Sequence, residues 1–332
     1  MIIQKQLFNF QRMKNEFSIR RAALRLPGAF IAYLLGAAWL TVIAAVAATE
    51  NAKTFATPDE AVTTLATAVN SSNMVVLRDL FGPATDEILS PDKVQAQNDL
   101  TLFAAALNAA HHLTRKSETQ YELETGTNDW PFPIPIMQKA GRWFFDTDAG
   151  KEELANRRIG RNELATLQSV RAYVAAQREY ASQDQNGDDV LEYAQKFKST
   201  PGQKDGLYWD PELDGTISPL GPFAANAQAE GYGGKQAADA GPQPFHGYFF
   251  KILTRQGSHA PAGKYNYIIN GHLLAGFALV AWPANYGSTG VMTFNVNQQG
   301  RVYQKDLGPK TGKLAPAITD YDPDSTWQLS LD

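Results

Sequence analysis

The sequence predicts an α+β protein with an apolar N-terminal helix, a small helix-on-sheet module, and a second module in which a long helix packs on an antiparallel meander. Three patterns predict it. A stretch without charge, Ala29–Ala48, follows a basic leader. Two capped helical segments then precede short strand-like runs between residues 117 and 146. Finally, a periodic helical stretch from Leu164 leads, through a Gly- and Pro-rich connection, to strands from Tyr248 onward.

The 332 residues, 44% hydrophobic and 11% aromatic, hold enough apolar material for two cores. The net charge of −4 is unevenly spread. Residues 1–28 carry Lys5, Arg12, Lys14, Arg20, Arg21 and Arg25 against Glu16 alone, so the body of the chain is acidic. An acidic body argues against a nucleic-acid partner, because that affinity rests on Lys and Arg neutralising phosphates. Cysteine is absent, which excludes disulfides, thiol nucleophiles and thiolate metal sites.

Taken in order, residues 1–28 form a basic cytoplasmic leader and residues 29–48 a signal anchor or signal peptide. As a helix the apolar stretch spans about 30 Å, enough for a bilayer core. Its basic flank leaves the start inside and sends the rest outward. Retention makes residues 29–48 a membrane contact; cleavage after Ala45-Val46-Ala47 releases the chain. Either fate predicts a location in the cell envelope, periplasmic or otherwise outside the cytoplasm.

Residues 55–148 read as the first α+β module. Thr57-Pro58-Asp59-Glu60 has the form of a capping box with proline at the first helical position. Gly82-Pro83 ends that helical region, and Ser90-Pro91-Asp92-Lys93 starts another helix. Strands are expected over 117–124, 134–138 and 142–146, with Trp130–Pro135 held extended by its prolines. Helices on a short antiparallel sheet suggest a cone-shaped domain of the nuclear-transport-factor-like type.

Residues 149–332 read as the second module. From Leu164 the apolar positions Leu167, Val170, Tyr173, Val174, Tyr180 and Ala181 line one helical face. Turn signals crowd residues 199–245, which predicts a long irregular connection. Strands follow at 248–255, 264–269, 276–282, 291–296 and 301–305, with a hairpin turn at Asn297–Gly300.

Several long motifs carry a family resemblance: DWPFPIPIMQKAGRWFFDTDAGKEELANRRIGRNEL, YVAAQREYASQDQNGDD, FHGYFFKILTRQG, NGHLLAGFALVAWPANYGSTGVMTF and GRVYQKDLGP. With them the chain resembles, from about Phe55 to Trp327, the exported bacterial family called domain of unknown function 2950 (DUF2950). That resemblance implies export and no particular activity. The half from Asn162 onward is also similar in layout to the globular heads of pseudopilins. It departs from them in placing the membrane segment far upstream of the helix, beyond another domain.

Three groups of residues are candidates for function. Asp184, Asn186, Asp188 and Glu192 place oxygen ligands in one loop, as a Ca²⁺ site needs. The EF-hand pattern fails there, with Asp189 at the glycine position and Gln195 at the closing glutamate, so the alternative is a polar turn. Arg157, Arg158 and Arg161 stand just before the periodic stretch. They would hold an anionic ligand beside helix N-terminal donors, or lock the modules through Asp146, Asp148, Glu152 or Glu153. Asp205, Tyr208, Trp209, Asp210, Asp214, His246 and Trp282 would line a groove for a sugar or peptide. The five histidines show no HExxH spacing, and no phosphate-binding glycine loop is present. These features predict a non-catalytic envelope module that binds an envelope protein or polymer, with a structural Ca²⁺. The alternatives are a carboxylate hydrolase of an envelope polymer and a pseudopilin-like assembly subunit.

Overall fold

A computed structural model describes residues 52–213, 215–233 and 243–330. The leader 1–28, the stretch 29–48 and the candidate Asp214 lie outside the described residues. Among the described residues no helix is long and apolar enough to cross a membrane.

The first helices follow their capping signals. Helix α1, Pro58–Asn70, begins at Thr57, whose hydroxyl accepts the Glu60 N–H, while Glu60 reaches back to accept the Ala56 N–H at 3.0 Å. Its inner face buries Ala61, Val62, Leu65, Ala68 and Val69. Asn73 caps α2, Met74–Phe81, through the Val76 N–H. A 3₁₀ turn at Gly82–Ala84 leads into the short α3, Thr85–Ile88. Asp92 caps α4, Lys93–Ala109, accepting from both Val94 and Gln95.

The first sheet has the order β1-β2-β4-β5, with β3 added beside β2. Its strands are β1 His111–Ser117, β2 Gln120–Thr125, β3 Trp130–Pro131, β4 Ile136–Lys139 and β5 Arg142–Phe145. The expected strand over 117–124 is corrected, because the Ser117↔Gln120 pairing makes that start a hairpin turn. The true first strand was hidden by its chemistry. β1 is an edge strand with no buried residue on either face, so it lacks an apolar alternation.

Helix α5 runs from Thr147 to Tyr180, 34 residues, and so begins well before the periodic stretch from Leu164. Asp146 caps it by accepting the Ala149 N–H. Its early half buries Gly150, Arg158 and Asn162, which do not register as an apolar face. The second sheet follows with the order β14-β13-β12-β11-β6, all antiparallel. It comprises β6 Tyr248–Leu253, β11 Ala278–Pro283, β12 Met292–Asn297, β13 Tyr303–Asp306 and β14 Gln328–Leu329. The expected strand 264–269 is divided between two small hairpins. In one, β7 Arg255–Gln256 pairs with β8 Tyr265–Asn266; in the other, β9 Ile268–Ile269 pairs with β10 His272–Leu273. The connection 199–245 is not wholly irregular, since it contains helix α6, Gly221–Ala229. A last short helix, α7 Thr311–Leu314, precedes β14.

Two buried clusters result. One gathers Phe55, Leu65, Leu80, Leu123, Ile134, Ile136 and Phe145 between the first helices and the first sheet. The other gathers Leu167, Val170, Tyr173, Tyr248, Phe277, Leu279 and Phe294 between α5 and the second sheet. Polar contacts join the segments around them. The Asn162 side chain, fully buried, accepts from Gln95 Nε2 at 2.6 Å and donates to the Thr289 carbonyl at 2.8 Å. Asp92, 3% exposed, accepts from the Tyr232 hydroxyl and the Gly247 N–H in addition to its capping bonds. Burial and the Asp92 carboxylate push the Tyr232 phenol well above its ordinary pKa, so it stays a neutral donor.

The first turns of α5 lie tight against Trp130–Pro135. A Cβ at Gly150 would stand 2.6 Å from the Pro133 carbonyl oxygen and 2.7 Å from the Ile134 Cα. Backbone on the facing side cannot rotate away. Gly150→Ala should therefore lower stability by about 1–3 kcal/mol despite the better helix propensity of alanine, read as a fall in melting temperature.

Candidate functional site

The acidic loop takes its shape from Asp184. One carboxylate oxygen accepts the N–H groups of Gly187 at 2.7 Å and Asp188 at 3.3 Å, and the other accepts that of Asp189 at 2.9 Å. Gly187 and Asp189 have φ of 76° and 63°, and these left-handed residues are what turn the N–H groups inward. The Asp189 N–H, joined by those of Gly187 and Asp188, holds the Asp184 carboxyl below its ordinary pKa. Asn186 directs its Nδ2 at two neighbours, Asp188 Oδ2 at 2.8 Å and Glu192 Oε1 at 2.9 Å.

The chain beyond the loop is fixed to the core. The fully buried Gln177 amide both donates to the Ala194 carbonyl and accepts the Ala194 N–H, each at 2.8 Å. Tyr193 then bridges to Leu273 of hairpin β9–β10. That hairpin turns through Asn270 and Gly271 with φ of 51° and 90°, a two-residue turn suited to Asn-Gly. Gln195 Nε2 donates to the Gly271 carbonyl at 2.7 Å and ties the turn to the loop. The result brings His272 Nδ1 to 3.5 Å from Asp188 Oδ2 and 3.4 Å from Glu192 Oε2. Glu192 is 11% exposed at its side chain and also accepts the Leu273 N–H.

Of the four residues expected to bind a cation, the structure therefore brings two, Asp188 and Glu192, to a common point with His272. Asp184 spends its oxygens on backbone N–H groups, and Asn186 offers a donor. His272 carries no metal-ligand spacing in the sequence. Only the pairing of Tyr193 with Leu273 reveals its neighbours. A second group, His112, Glu124 and Asp129, is arranged differently: Nε2 lies 2.9 Å from Glu124 and Nδ1 3.7 Å from Asp129, so the ring stands between the acids.

The three arginines do not share a site. They stand inside α5, because the helix starts at Thr147, and the expected helix N-terminal donors are not beside them. Arg157 pairs with Glu153 at 2.6 Å and lies over the Trp130 ring. Arg161 pairs with Asp99 at 2.7 Å. Arg158, 5% exposed, bonds the carbonyls of Glu87, Ile88 and Ser288 and the Ser288 hydroxyl. Burial lowers its pKa. Of the acidic partners expected near the cluster, only Glu153 is seen on these arginines.

The expected groove residues are also dispersed among separate tasks. Asp205 is held by Lys196 and by both the N–H and hydroxyl of Thr200. Burial opposes its ionisation, but the Lys196 ammonium and the Thr200 bonds prevail, and its carboxyl lies below the ordinary range. Asp210 accepts the Glu212 N–H. Trp209 belongs to the core at 4% exposure and donates to Thr216. Tyr208 bridges to Lys198. His246 pairs with Glu230 at 3.0 Å and packs on Phe245, while Trp282 lies tilted beside Phe249 on the second sheet.

Two outcomes follow. Arg158→Met, which leaves several part-buried acceptors without a donor, should cost about 1–3 kcal/mol in chemical denaturation, whereas Arg157→Ala should cost about 1 kcal/mol or less. The Asp184 contribution should be complete above the ordinary carboxylate pKa of about 3.9 and lost as pH falls through its depressed folded value. Hydrogen exchange at Gly187 and Asp189 should report this, and Asp184→Ala should remove their protection at neutral pH.

No curated protein matches the chain, and no solved structure does. A family match does exist, and it extends over residues 52–329, which include every described element from α1 to β14. The chain thus belongs to the family described as protein of unknown function, DUF2950.

Proposed function

We propose that the chain is an exported cell-envelope protein that binds another envelope protein, without catalysis of its own, at the end where loop 184–192 meets hairpin β9–β10. The observation that carries this reading is the surface chemistry there. Leu191 and Ile269 are 60% and 46% exposed, and Leu274 is 38% exposed, on or beside the two segments that meet there, and the loop also carries the acidic Asp184, Asp188 and Asp189. Apolar side chains with a charged rim suit protein contacts, and the acidic rim favours a partner offering Lys or Arg. Export rests on the uncharged stretch 29–48 and its basic flank.

The hydrolase reading has less support. A glycosidase pair needs one carboxyl kept protonated near neutral pH, and Asp205 is held on the opposite side of its ordinary value by Lys196. A pseudopilin-like assembly role is supported by layout alone, a long helix laid on an antiparallel sheet.

The test places a photocrosslinking residue at Leu191 or Ile269, with Val75, 69% exposed on α2, as the control. In the cells that make the protein, discrete adducts should form from 191 and 269 and be absent from 75. The same adducts from all three positions would overturn the assigned surface. An alkaline phosphatase fused to the C-terminus should be active; an inactive fusion on a full-length chain would overturn export.

A further inference from the structure

We propose that Asp188, Glu192 and His272 form a divalent transition-metal site of the Zn²⁺ class, distinct from the all-oxygen Ca²⁺ loop that the sequence suggests. Three chemically suitable donors converge from two segments about eighty residues apart in sequence, and their ligand atoms all lie within 4.8 Å of one another. The spacing is informative. His272 Nδ1 stands 3.5 Å from Asp188 Oδ2 and 3.4 Å from Glu192 Oε2. Both separations exceed the about 2.7–3.2 Å of an N–H···O hydrogen bond, so the imidazole is not simply bonded to either acid. Zinc bonds of about 2.0–2.1 Å in tetrahedral array place neighbouring ligand atoms about 3.3–3.4 Å apart. The two edges that meet at His272 thus already have the length found in a small tetrahedral ion's shell, and the third lies within 4.8 Å.

The donor set points the same way. Ca²⁺ selects about 6–8 oxygens, whereas an imidazole with carboxylates suits Zn²⁺ and its neighbours in the first transition row. Asp184 is instead committed to shaping the loop, its two oxygens accepting three backbone N–H groups. The fourth position falls to water or to Asn186. Its Nδ2 contacts both carboxylates, so rotating the amide presents an oxygen at the same place. The support is rigid on both sides. Gln177 fixes Ala194 two residues from Glu192, Gln195 holds the Gly271 turn, and the Leu273 N–H orients Glu192. An ion here would cross-link loop 184–192 to hairpin β9–β10. The inference does not depend on whether this end binds a partner.

The experiment uses the untagged full chain, stripped with chelator and titrated separately with Zn²⁺, Mn²⁺ and Ca²⁺ by calorimetry and thermal unfolding. One Zn²⁺ per chain should bind and raise the melting temperature, because an ion that binds only the folded state stabilises it. His272→Ala and Glu192→Gln should each weaken Zn²⁺ binding by on the order of 100-fold, with metal-free melting used to confirm that they fold. Asp184→Asn, which keeps one acceptor oxygen, should retain Zn²⁺ binding within about threefold. His112→Ala, at the other histidine–carboxylate group, should leave it unchanged. Absence of 1:1 Zn²⁺ binding, full binding by folded His272→Ala, or a Ca²⁺-induced shift exceeding that of Zn²⁺ would each overturn the proposal.

Discussion

A buried asparagine in the middle of a helix constrains most of this structure. Asn162 can satisfy its amide only if Gln95 on α4 and the Thr289 carbonyl, in the loop between β11 and β12, both reach the same point of α5. An unmade bond there would leave a polar group in a dry interior at a cost of about 1–3 kcal/mol. The surroundings are correspondingly tight. A Cβ on Gly247 would stand 2.6 Å from Asn162 Nδ2, so glycine is required where the chain enters β6. Arg158, one helical turn earlier, repeats the arrangement with carbonyls of α3 and of the loop carrying Ser288. Polar groups thus set the orientation of segments whose apolar contacts alone would permit sliding.

The same polarity explains what could be read from the sequence. The cap at Thr57 and the start of α4 within Ser90–Lys93 were legible because they depend on residues within three positions of one another, although it is Asp92 that accepts the capping bonds. The strands β6, β11, β12 and β13 were legible because their apolar runs are bounded by turn residues. The first half of α5 was not, since its buried positions include Arg158 and Asn162, which periodicity scores as solvent-facing. Edge strand β1 escaped for the related reason that it has no buried face.

The cation loop shows where local reading ends. Asp184, Asn186, Asp188 and Glu192 have the composition of an oxygen site, yet composition does not say which acid will be consumed by backbone N–H groups. That depends on the left-handed residues Gly187 and Asp189. Nor does it reveal His272, which arrives through a hairpin fixed by the Tyr193–Leu273 bridge and by Gln195. The arginine cluster was similarly misplaced, because its environment follows from where α5 starts. In each case the residues were visible, and the tertiary contacts that assign their partners were not.

The continuity of α5 has a further consequence. Leu154 on its early half packs against the first buried cluster, and Leu167, Val170 and Tyr173 on its later half belong to the second. Between them no loop interrupts the helical hydrogen bonds. A fragment cut between the clusters would sever a helix and expose apolar surface on both products. The two cores therefore share one cooperative element, and neither can be excised as a separate cassette without cutting the rod they hold in common.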